Sequence, residues 1–96
     1  MRWVLMYELV DDYLDRRPQF RDQHLELARA AQARGELQHG GALADPCDLA
    51  LLVFAGDGPE HAENFARHDP YVLNGLVTAW RVRQWNEVLA DGSPRS

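Results

Sequence analysis

Two polar residues, His24 and Asp69, are the strongest candidates for chemistry in this chain. His24 lies within the apolar stripe of a predicted helix, where packing alone does not require an imidazole. Asp69 precedes Pro70 at a predicted helix junction, where a carboxylate can face a cleft. A buried imidazole and a carboxylate that folding brings together form an acid–base pair. We therefore take His24 and Asp69 as candidate catalytic residues.

Each of these two residues also has a purely structural interpretation. A histidine on an apolar helix face can be a core residue whose ring bonds to a backbone carbonyl. Asp followed by Pro is a typical helix start, with Asp at the N-cap and Pro at the first helical position. The capping and chemical roles of Asp69 are compatible, because a capping carboxylate keeps a second oxygen for an imidazole.

Four further residues could bind a substrate: Tyr7, Arg21, Gly41 and Tyr71. The tyrosines could supply hydroxyl groups to a pocket, or be core aromatic residues whose hydroxyl groups reach solvent. Arg21, one turn before His24, could bind an anionic substrate group or form an exposed salt bridge, for instance with Glu26. The pair Gly40-Gly41 could admit a ligand to its strand or mark a bulge.

Composition and charge exclude several kinds of chemistry. All ten basic residues are arginines, so catalysis by lysine is excluded. The net charge of −5 argues against nucleic-acid binding, which needs a basic surface. The single cysteine, Cys47, cannot form an intrachain disulfide, and the spacing of the four histidines does not indicate a metal site. We expect no metal and no cofactor.

Length and hydropathy predict one small domain outside the membrane. We place this domain at residues 1–90, followed by a flexible polar tail at 91–96. No apolar run approaches the length of a membrane span, and the N-terminal residues lack the pattern of a signal peptide. We therefore expect a cytoplasmic protein with no membrane partner.

The elements are predicted in the order strand, helix, strand, strand, helix, strand. The strands are expected at 3–10, 36–43, 49–55 and 76–85, and the helices at 17–34 and 59–67. Pro18 fits the first turn of the long helix, and Asp69-Pro70 opens a further helical turn that ends at Gly75. This order predicts an α+β, ferredoxin-like βαββαβ fold, in which the helices cover one face of a four-stranded antiparallel sheet.

The predicted strands carry apolar residues on both faces, whereas two helices cover only one. The third strand is an example, since every residue from 49 to 55 is apolar. An uncovered second face would expose a larger apolar patch than monomers normally tolerate. We therefore expect a homodimer with the two sheets packed face to face as a dimeric α/β barrel. The alternative is that the C-terminal segment folds back over its own sheet.

Three motifs match a known family in the right order: Arg21-x-x-His24-Leu25; Gly35 followed by Leu37 and Gly40-Gly41; and Asp69-Pro70-Tyr71 with Gly75 and a final strand through Trp80 and Trp85. With them the chain resembles the YciI-like (YCII-related) family of small dimeric α+β-barrel proteins. The resemblance implies a ferredoxin-like protomer, a sheet-to-sheet dimer, and a cleft whose active-site His and Asp correspond to His24 and Asp69. It also implies acid–base chemistry, such as elimination, on small phenolic or cyclic compounds.

We therefore expect a small cofactor-independent enzyme of the lyase or isomerase kind, in which Asp69 orients His24 and His24 moves a proton on a small-molecule substrate. Cofactor-free oxidation is a weaker enzymatic alternative. A second hypothesis is a small-ligand-binding or sensing dimer without turnover. A third is a structural or partner-binding dimer in which His24 is only a core residue.

Overall fold

A computed structural model describes residues 1–90 and 93–94 of the chain. Its elements are β1 (Arg2–Leu9), α1 (Tyr13–Ala33), β2 (Leu37–Ala42), β3 (Leu49–Ala55), α2 (Glu60–His68), α3 (Pro70–Leu73), β4 (Val77–Trp85), β5 (Leu89–Ala90) and β6 (Ser93–Pro94). The two shortest strands, β5 and β6, pair with each other. Residues 91, 92, 95 and 96 of the predicted tail lie outside the described residues.

The four long strands form one antiparallel sheet in the order β2-β3-β1-β4. The strand β1 is central and pairs with both β3 and β4, so that Tyr7 lies between Ala50 and Trp80. The connection from β1 to β2 runs through α1, and the connection from β3 to β4 runs through α2 and α3. This is the ferredoxin-like α+β fold, and the prediction of fold class and of a β2–β3 hairpin is confirmed.

The core lies between the sheet and the helices. Alternate residues of β1 are almost fully buried, namely Leu5, Tyr7 and Leu9. The helix α2 adds Ala62, Phe65 and Ala66 to the same cluster. Because side chains alternate between the faces of a strand, Tyr7 projects towards the helical layer. A phenol at the centre of the sheet is thereby directed at the junction of α2 and α3.

The helix α1 begins at Tyr13, so the start predicted at 17–18 is wrong. Tyr13 is buried, its ring packs edge-on against that of Tyr71 at a centroid distance of 5.6 Å, and its N–H donates to the carbonyl of Val10. Pro18 therefore lies inside the helix, where it cannot donate the usual hydrogen bond to the residue four positions earlier. Tertiary packing of the first turn outweighs this local cost.

Two register shifts also differ from the sequence expectation. The bulge in β2 lies between Leu37 and His39, before the glycine pair rather than at it. A second shift separates Val77 from Ala79 in β4, where the Thr78 hydroxyl donates to the backbone carbonyl of Glu8 at 3.2 Å. Val77 is consequently buried in the core. A regular alternation of side chains along the strand, as expected from the sequence, places Val77 on the same face as Ala79.

We call the face of the sheet that the helices leave uncovered the open face. Its centre is apolar. Its central positions pair across β1 and β3, with Val4 opposite Val53 and Met6 opposite Leu51. These apolar positions fit the expected dimer interface, and the homodimer stays a prediction. No helix among the described residues is long and apolar enough to cross a membrane.

Candidate active site

The side chains of His24 and Asp69 are in direct contact. The Nδ1 atom of His24 lies 2.8 Å from Oδ1 of Asp69. The Asp69 side chain is fully buried and that of His24 is 15% exposed. Because an ionised carboxylate can only accept hydrogen bonds, Nδ1 is the donor to such a group. Nε2 makes no hydrogen bond within the described residues, so it is the ring nitrogen that remains available to a ligand.

Three donors surround the buried carboxyl group of Asp69. Besides His24, the backbone N–H of Tyr71 donates to Oδ1 at 3.0 Å and the hydroxyl of Tyr7 donates to Oδ2 at 2.8 Å. Asp69 is the N-cap of α3 and the partner of the imidazole at the same time. A buried carboxylate is stable only when it is well hydrogen-bonded, and here both oxygens have donors. The group is therefore held in one position.

Aromatic side chains fix the plane of the imidazole. The ring of Tyr71 stacks on that of His24, with centroids 3.9 Å apart and planes inclined by 10°. Phe65 meets the imidazole edge-on at 6.2 Å. The ring therefore has a defined orientation as well as a defined hydrogen bond, which is the arrangement that a positioned proton carrier needs.

The tyrosine hydroxyls of the site stay protonated at neutral pH. Burial raises the pKa of Tyr7, and the neighbouring Asp69 carboxyl raises it further. Burial also raises the pKa of Tyr71 to about 12, against a smaller lowering by Arg17 and Arg21. Tyr7 is therefore a permanent donor to Asp69 and not a proton-transfer group at neutral pH.

A cleft of about 360 Å³ opens between α1 and β2, and we call it the α1–β2 cleft. Its lining includes Arg17, Arg21, His24 and Ala28 from α1, Leu37 and Gly40 to Ala42 from β2, and Tyr7, Tyr13, Leu52 and Tyr71 from the adjoining elements. This volume is at the lower end of the range of roughly 300–1,000 Å³ for small-molecule sites. The glycine pair leaves this part of the β2 wall without side chains; a Cβ on Gly40 would make ordinary van der Waals contact with Leu52 at 3.6 Å, and one on Gly41 would meet no atom within 4 Å.

The residues selected from the sequence gather at this one cleft. Tyr7, Arg21, His24, Gly41 and Tyr71 line it, and Asp69 lies directly behind the imidazole. The hydroxyl of Tyr7 donates to Asp69, and Tyr71 contributes its ring to His24 and its N–H to Asp69. No ion pair between Arg21 and a helix neighbour is found within the described residues.

Tyr13 and Arg17 are among the cleft residues that were not predicted from the sequence. Both precede Pro18, and the predicted helix began only at 17–18. The signal was the spacing of 13, 17, 21 and 24, which continues one helical face across the proline. Arg17 lies 5.6 Å from the centroid of the Tyr13 ring, measured from its guanidinium carbon.

Of the remaining histidines, His39 lies on the β2 wall of the cleft, whereas His61 and His68 lie on α2. His61 is near the carboxylate of Glu36 at 3.6 Å, and Nδ1 of His68 bonds to the carbonyl of Asn64. Over residues 1–90 and 93–94, no group of three or more potential ligands is arranged to hold a metal ion. The expectation that the protein needs no metal stays a prediction.

The fold and the cleft define a ferredoxin-like protein with a histidine–aspartate pair at the wall of a cleft between α1 and β2. The chain belongs to the YCII-related family, whose domain model matches residues 1–86, and the resemblance inferred from its motifs is confirmed.

Two solved structures share the fold of the chain. One is the 5-chloro-2-hydroxyhydroquinone dehydrochlorinase of Burkholderia phenoliruptrix in complex with 2,5-dihydroxybenzoquinone, with a TM-score of 0.74, 20% identity and coverage of 91% of this chain and 95% of that one. The other is a protein of Agrobacterium tumefaciens, with a TM-score of 0.58, 18% identity and full coverage of both chains. A comparison with curated proteins gives no match.

Proposed function

We propose that the protein is a small cofactor-independent enzyme of the lyase or isomerase kind, with His24 as the proton carrier and Asp69 as the group that orients it. The observation that carries this proposal is the 2.8 Å contact between Nδ1 of His24 and Oδ1 of Asp69 at the wall of a cleft. A carboxylate on one ring nitrogen fixes the tautomer and stabilises the imidazolium that forms when the other nitrogen takes a proton.

The proposed reaction begins with proton abstraction. Nε2 of His24 takes a proton from a substrate carbon or hydroxyl in the α1–β2 cleft. The electron pair left behind forms a new double bond and expels a leaving group in a lyase. In an isomerase it shifts the double bond, and the imidazolium returns the proton at a neighbouring carbon. Both routes are redox-neutral, so they need no oxidant or reductant.

The substrate is proposed to be a small phenolic or cyclic compound. The cleft combines aliphatic side chains, such as Leu37 and Leu52, with the rings of Tyr13 and Tyr71, a lining that suits one flat ring. The dehydrochlorinase with the same fold acts, by its name, on a chlorinated hydroxyhydroquinone. With a substrate of that class, His24 would accept the proton and the chlorine would leave as chloride.

The first experiment measures chloride release from 5-chloro-2-hydroxyhydroquinone by the wild-type protein and by His24→Gln. Loss of a general acid–base group should lower kcat by about 10²–10⁴-fold. The matched control is His68→Gln, because His68 is exposed and bonds only to a carbonyl of its own helix. Equal turnover by the wild type and His24→Gln would contradict the proposal. Unchanged binding of the compound without any turnover would instead favour a ligand-binding protein.

A second variant, Asp69→Asn, separates chemistry from capping. Asn caps helices about as well as Asp, and its carbonyl oxygen can still accept from Tyr71. It removes the negative charge that stabilises an imidazolium. We expect a large loss of kcat with a small loss of stability, whereas a parallel loss of both would reduce Asp69 to a structural role.

We also propose that the active form is a homodimer built through the open face, and that it works in the cytoplasm. The apolar centre of the open face, with Met6 opposite Leu51, supports the dimer. The location stays an expectation, which fractionation of the source cells would test.

A further inference from the structure

Arg17 and Arg21 share one face of α1 with His24. The three residues lie at i, i+4 and i+7, and all three line the α1–β2 cleft. At a rise of 1.5 Å per residue, Arg21 is about 4.5 Å and Arg17 about 10.5 Å from His24 along the helix axis. A molecule one ring in size can therefore touch the imidazole at one end and a guanidinium at the other.

Neither guanidinium has a counter-charge within the described residues. No ion pair involves Arg17 or Arg21, and no Asp or Glu is among the described residues that line the cleft. Arg16 of the same helix donates to the carbonyl of Asn74 at 2.9 Å, and Arg34, the C-cap residue of α1, pairs with Glu36. Arg29, further along α1, also lines the cleft and has no ion pair within the described residues. Two like charges one turn apart destabilise a helix, so the pair carries a cost that no described acid offsets.

The donor geometry of Arg17 also indicates an anion. Its Nε atom is buried and has no hydrogen-bond partner among the described residues. Its guanidinium lies over the ring of Tyr13, which limits the orientations that the side chain can take. A planar guanidinium binds a carboxylate bidentately through two parallel N–H groups. Because Nε of Arg17 is buried, its terminal nitrogens are the donors that a ligand in the cleft can reach.

We infer that the α1–β2 cleft takes a substrate that bears a carboxylate, which Arg17 and Arg21 bind while the substrate ring extends towards Nε2 of His24. This inference rests on the proposed function, since it concerns the same cleft. It adds that charge recognition comes from the first turns of α1 and that a neutral analogue of the substrate binds more weakly. The arginines bind and position the substrate, and the proton transfer stays with His24.

The test uses two probes of nearly the same shape, the anionic 2,5-dihydroxybenzoate and the neutral 2,5-dihydroxybenzamide, with dissociation constants measured by titration calorimetry. We expect the wild type to bind the carboxylate roughly 10- to 100-fold more tightly than the amide, as for a hydrogen bond to a charged group. Arg17→Gln and Arg21→Gln should each weaken carboxylate binding about 10-fold or more and leave amide binding unchanged. Arg34→Gln is the matched control, because Arg34 pairs with Glu36 at the far end of the same helix.

Equal affinity of the wild type for the two probes, or no detectable binding of either at millimolar concentration, would overturn the inference. So would an equal loss for both probes in the arginine variants. If phenyl phosphate binds more tightly than the benzoate, the anionic group of the substrate is a phosphate and the carboxylate assignment is wrong. If the charge preference holds while His24→Gln leaves turnover unchanged, the proposed acid–base function fails and the anion site stands.

Discussion

The hydroxyl of Tyr7 lies 2.8 Å from Oδ2 of Asp69, so the carboxyl oxygen that does not contact His24 is also occupied. Tyr7 projects from the central strand and Asp69 from the junction of α2 and α3. The sheet and the helical layer are thus joined by one buried hydrogen bond directly beneath the imidazole. The orientation of His24 therefore depends on the central strand as well as on its own helix.

Replacement of Tyr7 by Phe should destabilise the protein and slow the reaction. It removes a donor from a buried carboxyl group, and a hydrogen bond to a charged group is worth about 1.5–3 kcal/mol. Because Tyr7 acts through Asp69, we expect kcat to fall more than KM rises. Urea denaturation and steady-state kinetics would measure the two effects.

The control for this variant is Tyr13→Phe, which removes a cleft hydroxyl that makes no contact with Asp69. Its loss of unfolding free energy should be the smaller of the two. A Tyr7→Phe protein as stable as the wild type would show that the buried contact contributes nothing.

Alkaline pH should destabilise the folded protein through its tyrosines. The chain has three, Tyr7, Tyr13 and Tyr71, and burial raises the pKa of each above the ordinary value of 10, that of Tyr71 to about 12. The folded state therefore keeps the phenol protons more tightly than the unfolded state. Their contribution to stability is complete below pH 10 and is lost as the pH rises through 10 and towards 12.

An ultraviolet titration of phenolate absorbance measures this effect without a substrate, because every tyrosine of the chain lines the cleft. We expect the tyrosines of the folded protein to ionise at higher pH than in urea, Tyr71 at about pH 12, whereas all three ionise together near pH 10 in urea. A folded protein whose tyrosines ionise at the same pH as in urea would contradict the burial of the site.

A charge at the centre of the open face should dissociate the dimer. We expect the wild type to have twice the 11.0 kDa mass of one chain by light scattering, and Leu51→Asp to have the mass of one. Leu51 lies opposite Met6 on this face, so a buried carboxylate there would have to be desolvated. Met6→Lys is a second variant that should act in the same way if Leu51→Asp fails to fold.

The matched control is Leu73→Asp, since Leu73 is 67% exposed on α3, away from the sheet. It should leave the mass unchanged. A wild-type protein that is monomeric at micromolar concentration would disprove the dimer.

Much of the architecture follows from patterns that are local in sequence. The apolar runs of the strands, Gly35 after the long helix and Asp69-Pro70 before the short one were sufficient to predict the element order. The contact of His24 with Asp69 was also predictable, because an apolar helix face and a helix junction both border the core. Both residues had a structural alternative. Only the fold showed that Asp69 caps a helix and, at the same time, holds the imidazole of His24 in place.

The contributions of Tyr7, Tyr13 and Arg17 depend on contacts between elements. Strand alternation gives the face on which Tyr7 lies but not the acceptor that it reaches. Pro18 is a strong local signal for a helix start, and only the packing of Tyr13 on Tyr71 shows that the helix begins earlier. Because residues 13–16 were assigned to a loop, the helical face that joins Tyr13 and Arg17 to Arg21 was not predicted, although Arg21 itself was.

The central claim is that Asp69 holds His24 with a hydrogen on Nδ1 and leaves Nε2 free to move a proton. Long-range ¹H–¹⁵N correlation spectroscopy of the imidazole tests it directly, at a pH where the ring is neutral and with Asp69→Asn as the comparison. We predict a protonated Nδ1 and an unprotonated Nε2 in the wild-type protein, and a weaker preference in the variant. A hydrogen on Nε2 in the wild type would contradict the account.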